Sequence, residues 1–140
     1  MNKLYIMCGI PGSGKSTYAK NLNGFIVSSD AVRKELYGDE KIQGNPKEVF
    51  ARVDELTREH LKIGNVIYDA TSITPKIRKN IINKFPEAEP ICVYVSTPFN
   101  ECIERNNKRE RTVSAEVMEK MMKNFVPPKL EEGFSKMIIC

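Results

Sequence analysis

The chain has 140 residues and a formal net charge of +4, a length that fits one domain burying about two thirds of its unfolded surface. With 41% apolar and 29% charged residues it is an ordinary globular mixture, which excludes a disordered chain; the mild positive balance permits a nucleic-acid partner without arguing for one. No apolar run approaches the ~20 residues of a membrane span, no signal-like stretch is present, and Cys8, Cys92, Cys102 and Cys140 form no CxxC pair, so a cytoplasmic protein with reduced thiols and no membrane contact is expected.

In chain order, Leu4 to Cys8 is an apolar run ending at Gly9, bounded like a buried strand. Lys15 to about Leu22 reads as a helix stopped by Asn23-Gly24. Phe25 to Val27 is a second strand ending in Ser28-Ser29-Asp30, and a short helix follows to Tyr37, closed by Gly38. Asp39 to Asn45 is polar and expected to be mobile. Pro46 opens a long helix with Val49, Val53, Leu56 and His60 at helical spacing, ended by Gly64. Val66 to Tyr68 is a third strand leading to Asp69, Ala70 and Thr71.

Thr74-Pro75 starts a helix with Ile77, Ile81 and Ile82 on its apolar side, Ile91 to Val95 is a fourth strand, and Pro98 begins a helix running to the basic stretch near Arg109. A helix from about Ser114 to Phe125 precedes Pro127-Pro128, and Met137 to Ile139 is a candidate fifth strand. Strands alternating with helices call for a parallel sheet with right-handed crossovers, covered on both faces. His60 and the methionines Met118, Met121 and Met122 read as packing residues rather than as a site.

Gly9-Ile10-Pro11-Gly12-Ser13-Gly14-Lys15-Ser16 matches the G-x-x-x-x-G-K-[ST] phosphate loop at every specified position. Gly12 and Gly14 let backbone N–H groups turn inward, Lys15 reaches the β- and γ-phosphates, and the Ser16 hydroxyl can ligate Mg²⁺. The following helix offers its positive end to the same anion. An apolar strand before the motif and a helix after it are the context the mechanism demands. ATP or GTP with Mg²⁺ is the ligand this loop implies.

Three further positions fall at the strands' carboxyl ends, where open parallel sheets gather their ligands. Asp30 either accepts a proton from a substrate hydroxyl or caps the helix beginning at Ala31. Arg33, one turn on, can hold an anionic group in fork geometry. Asp69 either holds a magnesium-bound water or makes strand-end hydrogen bonds. Thr71 and Ser72 either donate to substrate or start the turn before Pro75. The basic stretch Arg105-Asn106-Asn107-Lys108-Arg109-Glu110-Arg111 either supplies a lid arginine to the transferring phosphoryl group or forms a solvated face.

These residues together resemble P-loop kinases of the polynucleotide kinase group, in particular their 5′-kinase domain. The resemblance rests on Gly9 to Thr17, on Ser29-Asp30-Ala31-Val32-Arg33, on Asp69-Ala70-Thr71 with Pro75 and Arg78, and on Arg105 to Arg109 followed by Val113, Val117, Met121 and Phe125. It implies an α/β P-loop NTPase fold: a three-layer sandwich with a parallel sheet of four to five strands, helices on both faces and a short helical lid over about residues 105–125. It also implies an ATP-dependent kinase acting on the 5′-hydroxyl of RNA or DNA. On that resemblance Gly9, Gly12, Ser13, Gly14, Lys15, Ser16 and Thr17 hold ATP, Asp30 is the general base, and Arg33 grips the adjacent acceptor phosphate. Asp69 and Thr71 support the substrate, Ser16 and Asp69 face Mg²⁺, Arg109 is the lid arginine, and Arg105 with Val113 sandwiches adenine.

The chain departs from the group where Asp-Thr-Asn is replaced by Asp69-Ala70-Thr71 and where the lid is one residue shorter, and it carries no DxDGT phosphatase motif. Glu131-Glu132-Gly133-Phe134 resembles a turn common in these kinases, with no chemistry assigned. Two other readings share the loop: a kinase of a small metabolite or of aminoacyl-tRNA, and a nucleotide-binding regulatory module without phosphotransfer.

Overall fold

The computed structural model describes residues 1–39, 42, 44–108 and 113–140. Of the polar segment after Tyr37, positions 40, 41 and 43 lie outside the described residues, and so do 109 to 112. The elements are β1 (Lys3–Cys8), α1 (Lys15–Ala19), β2 (Phe25–Ser28), α2 (Ser29–Tyr37), α3 (Pro46–Leu61), β3 (Val66–Asp69), α4 (Pro75–Lys84), β4 (Glu89–Tyr94), α5 (Phe99–Lys108), α6 (Ala115–Asn124), a 3-10 turn at Leu130–Glu132, and β5 (Lys136–Ile139). The strands form one parallel sheet in the order β2-β3-β1-β4-β5, so β1 is central and its end carries the phosphate loop into the middle of the sheet edge.

Alternation along β1 separates two cores. Leu4, Ile6 and Cys8 face Val32 of α2, Val49 and Val53 of α3 and Ile81 of α4, whereas Met7 on the other side joins Ala19 of α1, Ile67 and Val93. Both faces of the sheet are covered, which is why its strands read as unbroken apolar runs. Each buried Leu, Ile, Val or Met side chain among them contributes about 1.5–3 kcal/mol of transfer free energy. A third cluster packs Ile10 of the phosphate loop against Cys102 of α5 and Met118, Met121 and Met122 around α6. The methionines thus serve as packing between loop and helices. His60 stacks on Phe25 with centroids 3.5 Å apart and an interplanar angle of 4°.

Two boundaries differ from expectation. Helix α1 ends at Ala19 rather than near Leu22, because Asn21 and Leu22 donate to Tyr18 and Ala19 three residues back, tightening the chain before Gly24. Helix α2 starts at Ser29, and its cap is Ser28, whose hydroxyl accepts from Ala31 N–H at 3.3 Å. Asp30 is therefore inside the first turn and is not the capping residue.

All four cysteines are free thiols; Cys8 and Cys92 face each other across β1 and β4 with sulfurs 3.6 Å apart. The hydrogen bond to Cys92, with burial, pushes the Cys8 thiol well above its usual range, so it stays protonated.

Beneath the loop after β3 lies a charged side chain that periodicity does not anticipate. Arg78 of α4 is fully buried; its Nε and Nη2 donate to Glu132 at 2.6 and 3.0 Å, and its Nη1 donates to the Ser72 carbonyl at 2.8 Å. Burial alone would raise the Glu132 pKa, but the Arg78 hydrogen bonds, the Lys129 N–H and the Arg78 charge together hold it below its ordinary value. A carboxyl lowered in the folded state contributes stability above its ordinary range and loses it as pH falls through that range. Thermal unfolding followed from pH 7 down to pH 3 should show part of the acid-side loss of Tm disappearing in Glu132→Gln. An unchanged acid-side slope would show that Glu132 titrates alike in both states.

Candidate active site

The loop after β1 takes its shape from two glycines in left-handed backbone, Gly12 at φ 86° and Gly14 at φ 98°. Gly12 also permits close packing: a Cβ there would strike the carbonyl oxygen of Cys102 on α5. Neighbouring elements hold the loop from both sides. Gly9 N–H donates to the Thr71 carbonyl at 3.1 Å, and the Ser13 carbonyl accepts from Thr97 Oγ1 at 2.6 Å and from Arg105 Nη1 at 3.3 Å. Lys15 Nζ reaches back across the loop to the Ile10 carbonyl at 3.5 Å.

Ser16 opens toward β3, where its hydroxyl donates to Asp69 Oδ2 at 2.9 Å. Asp69 is 7% exposed and ends its strand beside the loop. A hydroxyl and a carboxylate side by side are hard oxygen donors of the kind Mg²⁺ accepts alongside phosphate and water. Among the described residues no group of three or more His, Cys, Asp or Glu could hold a metal.

Facing the loop, Asp30 and Arg33 lie one turn apart on α2, with Arg33 Nη1 donating to Asp30 Oδ1 at 3.1 Å. The side chains are 35% and 14% exposed, and Arg33 Nε is buried without a protein partner among the described residues. The guanidinium thus orients the carboxylate that faces the phosphate loop.

One cavity of about 830 Å³ gathers these groups. Gly12, Ser13, Gly14, Lys15, Ser16, Thr17, Asp30, Arg33, Asp69, Thr71, Arg105 and Val113 all line it. Gly9 does not; it sits under the loop. Arg109 lies outside the described residues. Ser72 lies away from the cavity: it is 3% exposed with its hydroxyl unpartnered among the described residues, and Thr74, not Ser72, caps α4 by accepting from Ile77 N–H. Arg105 also pairs with Glu101 at 2.9 Å. The Cys102 thiol beneath the loop is pushed up by burial, against the opposing charges of Arg105 and Lys15.

Several contributors escape sequence reasoning. Asn106, 2% exposed, donates to the Val113 carbonyl at 2.8 Å and accepts Val113 N–H at 3.1 Å, so one amide fixes where the chain re-enters the site. Its place within a basic stretch conceals that burial. Phe50 of α3, Tyr18 of α1 and Asn21 also line the cavity, and nothing in their spacing marks them as site residues.

A protein family described as AAA domain matches residues 4–128. The chain belongs to this AAA-domain family of P-loop kinases. It is 27% identical over 139 residues to the L-seryl-tRNA(Sec) kinase of Methanococcus maripaludis, an alignment covering 89% of this chain and 53% of that protein. To the adenylyl-sulfate kinase of a Shewanella species it is 32% identical over 111 residues, covering 71% and 54%. The chain spans about half the length of the curated relatives it matches. Among solved structures, a chain of the Pnkp1/Rnl/Hen1 complex superposes with a TM-score of 0.67 at 26% identity, over 81% of this chain and 41% of that one. Chaetomium thermophilum Kti12 in complex with ADP-AlF3 superposes with a TM-score of 0.75 at 16% identity, over 98% and 88%, a likeness of fold alone. In the described residues of this AAA-domain chain no helix is long and apolar enough to cross a membrane.

Because Gly12 combines a left-handed backbone with contact to Cys102, Gly12→Ala strains the loop and drives it off α5. ATP affinity measured by calorimetry should fall at least ~10-fold, with Tm lowered; wild-type affinity in this variant would show that the loop does not hold the nucleotide.

Proposed function

We propose that the protein is an ATP-dependent kinase that transfers the γ-phosphate of ATP to the 5′-hydroxyl end of RNA or DNA. The observation that carries this reading is the facing of two charged pairs across one cavity: Ser16–Asp69 at the phosphate loop and Asp30–Arg33 on α2. A site that only binds nucleotide has no need of the second pair.

The chemistry follows from that arrangement. Backbone N–H groups of the loop and the Lys15 ammonium hold the β- and γ-phosphates. Ser16 and Asp69 would hold Mg²⁺, which when bound neutralises charge on the phosphate oxygens. Asp30 accepts the proton of the 5′-hydroxyl as its oxygen bonds to the γ-phosphorus, and the bond from that phosphorus to the bridging oxygen breaks to release ADP. Arg33 orients Asp30 through Nη1 and lines the same cavity, where its guanidinium would grip the phosphate adjoining the acceptor sugar. Arg105 and Val113 line the cavity and would enclose the base of ATP; the lid role falls to Arg109, which lies outside the described residues.

A nucleic-acid acceptor is supported by the 26% identity to a chain of the Pnkp1/Rnl/Hen1 complex, and the net charge of +4 permits one. The similarity to an L-seryl-tRNA(Sec) kinase along 89% of the chain favours a second reading, in which the hydroxyl belongs to an aminoacyl-tRNA.

Transfer of labelled γ-phosphate to a panel of 5′-hydroxyl oligonucleotides, nucleosides, sugars and seryl-tRNA separates the two; labelling confined to seryl-tRNA or sugars would overturn the first reading. In the same assay Asp30→Ala should lose roughly 10²–10⁴-fold in kcat with ATP affinity nearly unchanged. Lys15→Ala should lose transfer and weaken ATP binding together. Arg33→Ala should raise KM more for acceptors bearing a 3′-phosphate than for a bare nucleoside, and equal losses would remove its phosphate-gripping role.

A further inference from the structure

The loop of residues 69–73 joins β3 to α4 and is tied at four successive points to different parts of the fold. Asp69 Oδ2 accepts the Ser16 hydroxyl, and the Thr71 carbonyl accepts Gly9 N–H. The Ser72 carbonyl accepts Arg78 Nη1 at 2.8 Å, and the Ile73 carbonyl accepts Val126 N–H at 2.9 Å. Ser72 itself stands at φ 46°, in the left-handed region that a serine seldom adopts. That conformation turns the Thr71 and Ser72 carbonyls to different partners, one toward the phosphate loop and one toward Arg78. Residues held in such backbone persist when their surroundings over-determine them.

Arg78 provides that over-determination. Its guanidinium is 0% exposed, and three of its donors are spent on groups that face it from two other segments. Glu132 in turn takes Lys129 N–H at 3.0 Å, so its carboxylate is fixed from the far side as well. A buried ion pair is weak grounds for stability, since an apolar pair of similar volume often serves as well or better. An apolar pair, however, cannot hold the Ser72 carbonyl.

We propose that Arg78 and Glu132 are positioning residues for magnesium–nucleotide binding: by gripping the Ser72 carbonyl they set loop 69–73, and with it the Asp69 carboxylate beside Ser16 and the Thr71 carbonyl that anchors Gly9. The inference rests on reading the cavity as a Mg²⁺–ATP site and does not depend on the acceptor. Neither residue touches the nucleotide; both act through the loop. Partners behind a metal-facing carboxylate commonly govern metal affinity by 10–100-fold when removed.

The test is ATP titration by calorimetry at graded Mg²⁺ concentrations, with Tm recorded for each protein. In Arg78→Met/Glu132→Leu the account expects Tm within a few degrees of the parent, a rise of roughly tenfold in the Mg²⁺ concentration for half-maximal effect, and a much smaller change in Mg²⁺-free ATP affinity. In Glu132→Gln, which keeps one acceptor oxygen for Arg78 and folds even if the double variant does not, a smaller shift in the same direction is expected. Unchanged Mg²⁺ dependence in either folded variant would overturn the proposal, as would an equal loss of ATP affinity with and without Mg²⁺. Because no acceptor enters this experiment, failure of the wild-type protein to phosphorylate 5′-hydroxyl ends would count against the acceptor assignment and leave this result standing.

Discussion

The hydrogen bond from Gly9 N–H to the Thr71 carbonyl joins the two loops on which the site depends. One is the glycine-rich loop from Gly9 to Ser16; the other presents Asp69. Since β1 and β3 are hydrogen-bonded neighbours in the sheet, their ends emerge side by side, and this single bond keeps the loops in register as they leave it. Ser16 meets Asp69 across this junction, and the Ser72 carbonyl, held by Arg78, ties the same loop further along. Strand order and one backbone contact thus bring the glycine-rich loop and the Asp69 carboxylate to the same end of the sheet.

The second constraint is the packing of α5 against the phosphate loop. Gly12 has no room for a side chain over the Cys102 carbonyl, and the Ser13 carbonyl is shared by Thr97 and Arg105. The helix that carries the basic stretch is therefore seated directly on the loop, and Asn106 fixes the return of the chain at Val113. On the acceptor side, α2 is aimed by the Ser28 cap, which leaves Asp30 and Arg33 in its first turns, facing the loop. Three elements thus converge on the cavity with Asp30, Asp69 and Arg105 already hydrogen-bonded, a preorganised arrangement that suits phosphoryl transfer, where positioning and electrostatics supply most of the catalysis.

Much of this was legible in the residues. The phosphate loop announces itself because backbone geometry demands glycine and phosphate demands lysine at set spacings, and an apolar run before it supplies the strand. Strand and helix alternation foretold the parallel sheet, and the spacing of Asp30 and Arg33 foretold a shared helix face. What escaped is tertiary. Arg78 entered the sequence reading only through the family resemblance, with no sign of its burial; it lies wholly inside, bound to Ser72 and Glu132, 6 and 54 residues away. Asn106 and Thr97 act through backbone groups of other segments, and no periodicity encodes that. The start of α2 was misplaced for a local reason: two adjacent serines precede Asp30, and the first of them takes the capping position.

The most direct measurement is ATP binding by calorimetry, with Mg²⁺ and with EDTA, in the parent protein and in Asp69→Asn. The account predicts that Mg²⁺ tightens ATP binding in the parent by roughly tenfold or more, and that Asp69→Asn loses that gain while its metal-free affinity is kept. A full magnesium-dependent gain in Asp69→Asn would contradict it.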